Sequence, residues 1–164
     1  MNQKKVLIIA EAGVNHNGDL EIAKKLIECA ATAGADYVKF QTFKAGKLVS
    51  KSAKKAIYQQ KNTVSSADTQ ISMLEKLEIP DSWYNELISH AKNRGISLLS
   101  TGFDEESIDF LDALGMRFFK IPSGELTNKP YLMRIASKGK PVILSTGMAT
   151  LNEIEKCLAV LIIP

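Results

Sequence analysis

The chain has 164 residues, with 45% apolar and 24% charged side chains, the composition of a soluble globular protein large enough for a real core. Its formal net charge of +3 is spread along the chain. No basic run is long enough to indicate a nucleic-acid surface, and no apolar run approaches the roughly 18 residues that a membrane span requires. Lys51, Lys54, Lys55 and Lys61 do cluster, and a solvated helix face explains them. Cys29 and Cys157 are expected as two isolated buried thiols within helices, with no metal-type spacing, which fits a reducing, cytoplasmic compartment.

Strand and helix patterns alternate from the first residues. Val6 to Ala10 is a short apolar run, as expected of a strand covered on both faces, and it leads into Glu11 rather than into a signal-peptide pattern. GVNHNG is a turn. A helix is predicted over 20–33, with Leu20, Ala23, Leu26, Ile27 and Ala30 at helical spacing and Gly34 as its terminator. The second strand is Tyr37 to Thr42. A polar stretch over 43–69 is too long for an ordinary connection and reads as a functional loop with short helices. Helices follow over 70–77 and 81–94, separated by Pro80, with Asp81 as the expected N-cap and Gly95 as the stop.

Strand 3 is expected over 97–100, and the next helix over 104–114. Strand 4 runs over 117–121, followed by a helix over 130–138 whose first turn suits Pro130. Strand 5 runs over 141–145, and a last helix from about Asn152 to the end. CLAVLIIP ends without a polar tail, so the chain is expected to stop within a domain.

Five βα units with buried strands imply a parallel sheet, either open and doubly wound or closed as a barrel. EAGVNHNG is not the glycine-rich fingerprint of the open type. Polar residues instead stand at every strand end: Glu11, Lys39 with Gln41, Thr101, Lys120 with Ser123, and Ser145. In a (β/α)8 TIM barrel those ends converge on one site, and a barrel needs about 250 residues. The fold class expected is therefore such an α/β barrel, truncated after about five βα units, with residues 1–164 as the N-terminal portion of its domain.

Lys39 and Gln41 alternate with Val38 and Phe40, so one pair faces inward and the other faces the helices. A lysine within a strand is costly without a counter-charge or ligand. One such lysine is best read as reaching solvent past the strand end. Two from different strands, Lys39 and Lys120, favour an anion site. Ser123 in IPSGE, Ser145 with Thr146 and Gly147 in LSTGM, and Thr101 with Gly102 in STGF add hydroxyl and backbone donors suited to phosphate. Turn chemistry explains any one of these alone. Glu11 and Glu125 each read as a capping carboxylate or as one that orients water, metal or a substrate hydroxyl. His16 is more often a structural loop histidine than a ligand, and His90 is expected at the surface.

On the stretches IIAEAGVNHNGD, AGADYVKFQTFKA, YQQKNT, LLSTGFDEESIDFL, FFKIPSGELTN-PYL and ILSTGMAT, in that order over nearly the whole chain, the sequence resembles the sialic acid synthase family. That family comprises the bacterial N-acetylneuraminate synthases and their legionaminate-making relatives. The resemblance implies a TIM barrel followed by an antifreeze-like domain in a homodimer, with the rest of the barrel and that domain absent from residues 1–164. It implies a transferase that condenses phosphoenolpyruvate with an N-acetylated amino sugar, N-acetylmannosamine or a 2,4-diacetamido sugar, using manganese or magnesium. On matching positions, Lys39, Thr101, Lys120, Ser123 and Ser145 would bind phosphoenolpyruvate. Glu11, with Lys39 and Lys120, would be catalytic, and Gln41, Asn62 and Glu125 would contact the sugar. The family's metal histidines fall beyond Pro164, so no metal ligand is expected in this chain, and the fragment alone is expected to be inactive. STGF stands where neuraminate synthases commonly carry STPF and resembles the legionaminate type, whereas YQQKNT resembles the neuraminate type, so both sugars stay open. Two alternatives remain: another phosphoenolpyruvate-condensing synthase of a 2-keto-3-deoxy acid, and a non-catalytic barrel fragment without the metal site.

Overall fold

The computed structural model describes residues 6–48 and 70–162. They form an α/β fold in which five strands fall into two parallel sheets, one of three strands in the order β1-β2-β3 and one of two strands, β4-β5. The residues group into two compact units, one ending at Leu99 and one beginning at Ser100.

In the first unit, β1 is Ile9–Gly13, α1 Leu20–Thr32, β2 Tyr37–Thr42, α2 Ala45–Leu48, α3 Gln70–Leu77 and α4 Tyr84–Asn93. The first strand is shifted from the expected Val6 to Ala10. Pairing starts at Ile9 opposite Tyr37, and Val6, Leu7 and Ile8 are exposed. The Ile8 carbonyl accepts from the N–H groups of Asp36 and Tyr37, while its own N–H donates to the Asp36 carboxylate at 2.9 Å. These bonds fasten the strand entrance without extending the ladder, so apolar character alone mislocates the start. Glu11 consequently lies inside β1, opposite Lys39, instead of closing it.

Asp19 caps α1, accepting from the Ile22 N–H at 3.0 Å, which satisfies one of the orphan donors of the first turn. Ala23, Ile27 and Ala30 bury the inner stripe of that helix, and Tyr84, Leu87 and Ala91 that of α4. Val38 and Phe40 are fully buried, alternating in sequence with Lys39 and Gln41, as the period-two pattern requires. The Tyr84 hydroxyl meets the Thr42 hydroxyl at 2.5 Å in the core, so the tyrosine brings its own partner for its polar end.

Asp81 does not act as the expected helix cap. It opens a short 3-10 turn over Asp81–Trp83, and its carboxylate accepts from the Lys44 ammonium at 2.9 Å. Glu78 joins the same lysine at 3.2 Å and accepts from the Ala45 N–H. Of the segment 43–69, only the part up to residue 48 lies among the described residues, as does none of Lys51, Lys54, Lys55 or Lys61.

β3, Ser97–Gly102, is two residues longer than expected, so Thr101 and Gly102 sit within the strand and Thr101 is buried. The second unit continues with α5 Glu105–Ala113, β4 Phe119–Ile121, a 3-10 turn Ser123–Glu125, α6 Lys129–Ala136, β5 Val142–Leu144 and α7 Leu151–Leu161. Asp104 caps α5, accepting from the N–H of Ser107, and Thr150 with Glu153 forms a capping box on α7. Asn128 caps α6 one residue ahead of the expected start, with Pro130 in its first turn. Ile108, Leu111, Phe119, Ile121, Leu132 and Ile135 make the core of this unit.

Gly102 has a packing reason to be glycine. A Cβ there would stand 3.2 Å from the backbone nitrogen of Ile108, so the bare backbone lets the start of α5 approach the strand end. Tyr131 of α6 donates its buried hydroxyl to the Gly102 carbonyl at 2.7 Å. On the outside, Arg134 and Lys138 pair with Asp109 and hold its carboxyl down at about 2.

The cysteines are not alike: Cys157 is buried, and burial pushes its thiol up, but Cys29 is exposed, against the expectation of two buried thiols. Cys29 lies on α1 away from its buried stripe of Ala23, Ile27 and Ala30. No helix among the described residues is long and apolar enough to cross a membrane.

Candidate functional site

The sequence-designated residues assemble in two places, one in each unit. In the first, the parallel register sets Glu11 of β1 opposite Lys39 of β2. Their side chains lie on the same side of the sheet, and the Lys39 ammonium meets Glu11 Oε2 at 2.5 Å. The lysine is 11% exposed and the carboxylate 54%. The counter-charge that an in-strand lysine needs is therefore partly supplied by the protein, a pairing that residue types alone did not reveal.

Gln41 joins the pair because of Gly13. The register shifts between Glu11 and Gly13, and Gly13 takes a φ of 55°, in the left-handed region. A Cβ on Gly13 would stand 3.3 Å from Glu11 Oε1 and 3.5 Å from Gln41 Nε2. The missing side chain is the space into which Glu11 and Gln41 converge. Asn62, the third residue expected on the sugar side with Gln41 and Glu125, lies outside the described residues.

The turn after β1 is organised by His16, which is fully buried, in line with the structural reading. Its Nδ1 accepts from the Gly18 N–H at 3.0 Å, so the proton of the neutral ring resides on Nε2. Nε2 has no hydrogen-bond partner among the described residues, and the ring tilts against Phe40. Burial pushes the His16 pKa below 6.5. An imidazole that titrates near 6.5 when unfolded and lower when folded makes its full contribution to stability above pH 6.5 and loses it as the pH falls below that value, because the unfolded chain then takes up the proton first. We expect denaturant midpoints to fall between pH 7.5 and 5.5, with a flatter slope in His16→Asn, whose amide oxygen can still accept from Gly18. The carboxylates held low, Asp109 among them, titrate well below this window.

His90 is not plainly at the surface. It lies half-buried in the last turn of α4 with Nε2 3.2 Å from Glu28, which also binds Arg94 at 2.6 Å. The expectation overlooked that Glu28 on α1 faces this helix.

In the second unit, β4 and β5 pair in parallel with Lys120 opposite Ile143, and the Ser145 N–H donates to the Ile121 carbonyl at 3.0 Å. The strand end thus carries Lys120, Ser123 and Ser145 together. Ser123 begins the 3-10 turn, and a Cβ on Gly147 would stand 3.6 Å from its hydroxyl. The backbone after β5 thus runs beside that hydroxyl, an arrangement of donors suited to anionic oxygens. The next residue, Met148, is fully exposed at a φ of 62°, a left-handed position that costs a non-glycine residue energy and often marks a constrained turn. Glu125 is held locally, accepting from the Asn128 side-chain amide at 2.7 Å, so its carboxylate is aligned by the same residue that caps α6. Among the described residues no group of three or more His, Cys, Asp or Glu side chains could hold a metal ion.

Residues 26–162 match the sequence model of the NeuB family. The chain belongs to the NeuB family. It is 60% identical over 158 residues to an N,N'-diacetyllegionaminic acid synthase of Campylobacter jejuni, a match that covers 96% of this chain and 47% of that protein. It is 56% identical to the synthase of the same description from Legionella pneumophila, over 90% of this chain and 41% of that protein. Among solved structures, an N-acetylneuraminic acid (sialic acid) synthetase from Leptospira borgpetersenii superposes with a TM-score of 0.82 at 29% identity, covering 96% of this chain and 50% of that one. The chain thus spans about half the length of the curated relatives it matches.

In this NeuB-family chain the sequence itself points to Gly102 and Gly147; the glycine whose role its pattern does not reveal is Gly13. Gly13 contributes no chemistry of its own and clears the space in which the Glu11 and Gln41 side chains converge. A period-two reading of strands sees only side chains. The signal available was the glycine that opens GVNHNG, two residues after Glu11.

Proposed function

We propose that this chain is the phosphoenolpyruvate-binding portion of a synthase that joins phosphoenolpyruvate to an N-acetylated amino sugar, giving a sialic or legionaminic acid and phosphate. In this reading the five βα units are the N-terminal part of a (β/α)8 barrel. What carries the reading is the 60% identity to a diacetyllegionaminic acid synthase, together with a lysine within each of two parallel-paired strands, Lys39 in β2 and Lys120 in β4. The identities of 60% and 56% to two such synthases favour a 2,4-diacetamido sugar over N-acetylmannosamine.

The chemistry is C–C bond formation. C3 of phosphoenolpyruvate attacks the aldehyde carbon of the open-chain sugar, the resulting cation at C2 takes up water, and the tetrahedral intermediate expels phosphate. Lys39 and Lys120 would neutralise the phosphate and carboxylate while Thr101, Ser123 and Ser145 fix their orientation, which is positioning and electrostatic work. Glu11 would orient the attacking water, and Gln41 with Glu125 would receive the sugar. Among the described residues no group of three or more His, Cys, Asp or Glu side chains could hold the divalent manganese or magnesium ion that the family resemblance implies.

Titration calorimetry of the chain with phosphoenolpyruvate, pyruvate and inorganic phosphate tests the binding half of this reading. Phosphoenolpyruvate is expected to bind tightest, because it alone presents both anions. Equal heats from all three, or none from phosphoenolpyruvate, would sink the reading. For the reaction half, the chain extended to the length of its relatives is expected to release phosphate faster with a 2,4-diacetamido sugar than with N-acetylmannosamine.

A further inference from the structure

We propose that Glu11 is a resident counter-anion of Lys39, which an incoming ligand anion must displace before the lysine can hold it. The proposal rests on the reading of Lys39 as a phosphoenolpyruvate-binding residue. Its physical basis is the asymmetry of the pair. Lys39 is 11% exposed and anchored in the middle of β2, whereas the Glu11 carboxylate is 54% exposed. When the two separate, water can receive the exposed carboxylate far more readily than the largely buried ammonium, which stays fixed on its strand. The glutamate is therefore the partner that leaves.

The local backbone gives it room. Oε2 contacts Lys39, while Oε1 and Gln41 Nε2 both lie beside the position that a Gly13 side chain would occupy. Moving from Lys39 toward Gln41 takes the carboxylate away from an ammonium and toward an amide donor without crossing a strand. A ligand that reaches Lys39 must outcompete a carboxylate already in contact. That requirement favours a compact, multiply charged anion such as phosphoenolpyruvate over a single carboxylate. Once displaced, Glu11 stands next to the bound ligand, where the reaction needs a carboxylate for water. Glu11 thus lowers affinity in the empty site and serves chemistry in the filled one.

Calorimetry with phosphoenolpyruvate on the full chain, comparing the unsubstituted protein with Glu11→Gln, tests this. The substitution keeps shape and removes charge. Affinity is expected to rise by up to about fivefold, the range of a partly exposed ion pair. In a Lys39→Met background the same Glu11→Gln change is expected to bring no gain. Unchanged or weaker binding by Glu11→Gln overturns the proposal, and so does an equal gain in the Lys39→Met background, which would be a general charge effect. If the unsubstituted chain binds phosphoenolpyruvate and Glu11→Gln does not improve on it, only the counter-anion role fails. If neither protein binds it, the reading of the site fails with it.

Discussion

Replacing Lys120 by alanine is expected to weaken phosphoenolpyruvate binding roughly 10- to 100-fold, the effect of losing one charge-assisted hydrogen bond of about 1.5–3 kcal/mol. Lys120 sits at the centre of the three-residue strand β4, one residue before Ile121, whose carbonyl accepts from the Ser145 N–H. It is held at the strand end by the β4–β5 ladder, and its removal takes away a charge without touching that ladder. The loss of affinity in Lys120→Ala is expected to exceed any loss of stability, since the strand pairing is kept. Lys120→Arg keeps the charge but replaces a compact ammonium by a planar fork, and should recover only part of the affinity. Titration calorimetry beside a thermal melt separates the two effects. An unchanged phosphoenolpyruvate affinity in Lys120→Ala would remove the lysine from the proposed anion site.

Gly18→Ala is expected to destabilise the first unit by roughly 2–4 kcal/mol, one of the larger effects open to a single methyl group. Two costs combine. Gly18 has a φ of 73°, a left-handed conformation that alanine adopts at a cost of about 1 kcal/mol. A Cβ there would also stand 2.4 Å from the carbonyl oxygen of Lys76, which is backbone at the C-terminal end of α3 and cannot swing aside like a flexible side chain. Relief requires moving the turn away from α3. That motion would pull on the bond from the Gly18 N–H to His16 and on the Asp19 cap of α1. Denaturant unfolding should show a lower midpoint. Gly34→Ala offers the comparison, since Gly34 has a similar φ of 79° but no atom within 4 Å of the added methyl, so it should show the conformational cost alone. Equal losses in the two variants would mean that the Lys76 contact carries no weight.

Much of this architecture was legible in the residues. Continuous apolar runs alternating with helical periodicity predicted the five strands and their helices, because burial on both faces of a parallel strand leaves a direct compositional trace. Tyr37 to Thr42 was read to the residue, since its alternation of Val38 and Phe40 with Lys39 and Gln41 is local information. Boundaries failed where long-range bonds decide them. Val6 to Ile8 have the composition of a strand, but the ladder begins at Ile9 because Asp36 claims the backbone of Ile8. Asp81 has the composition of a cap, but Lys44, 37 residues earlier, takes its carboxylate. His90 was placed outside because Glu28 on another helix could not be seen from it.

The candidate site divides in the same way. By itself the sequence determined which residue types stand at the strand ends, and, through the stretches it shares with sialic acid synthases, the family to which the chain belongs. Only the tertiary structure decided that Lys39 already holds a carboxylate, that Gly13 clears the gap between Glu11 and Gln41, and that the Ser145 N–H is spent on the Ile121 carbonyl. The physical reason is that composition and periodicity record what each segment buries. Which charge meets which, and where a missing side chain leaves space, are properties of pairs of segments and arise only when register and turn geometry bring them together.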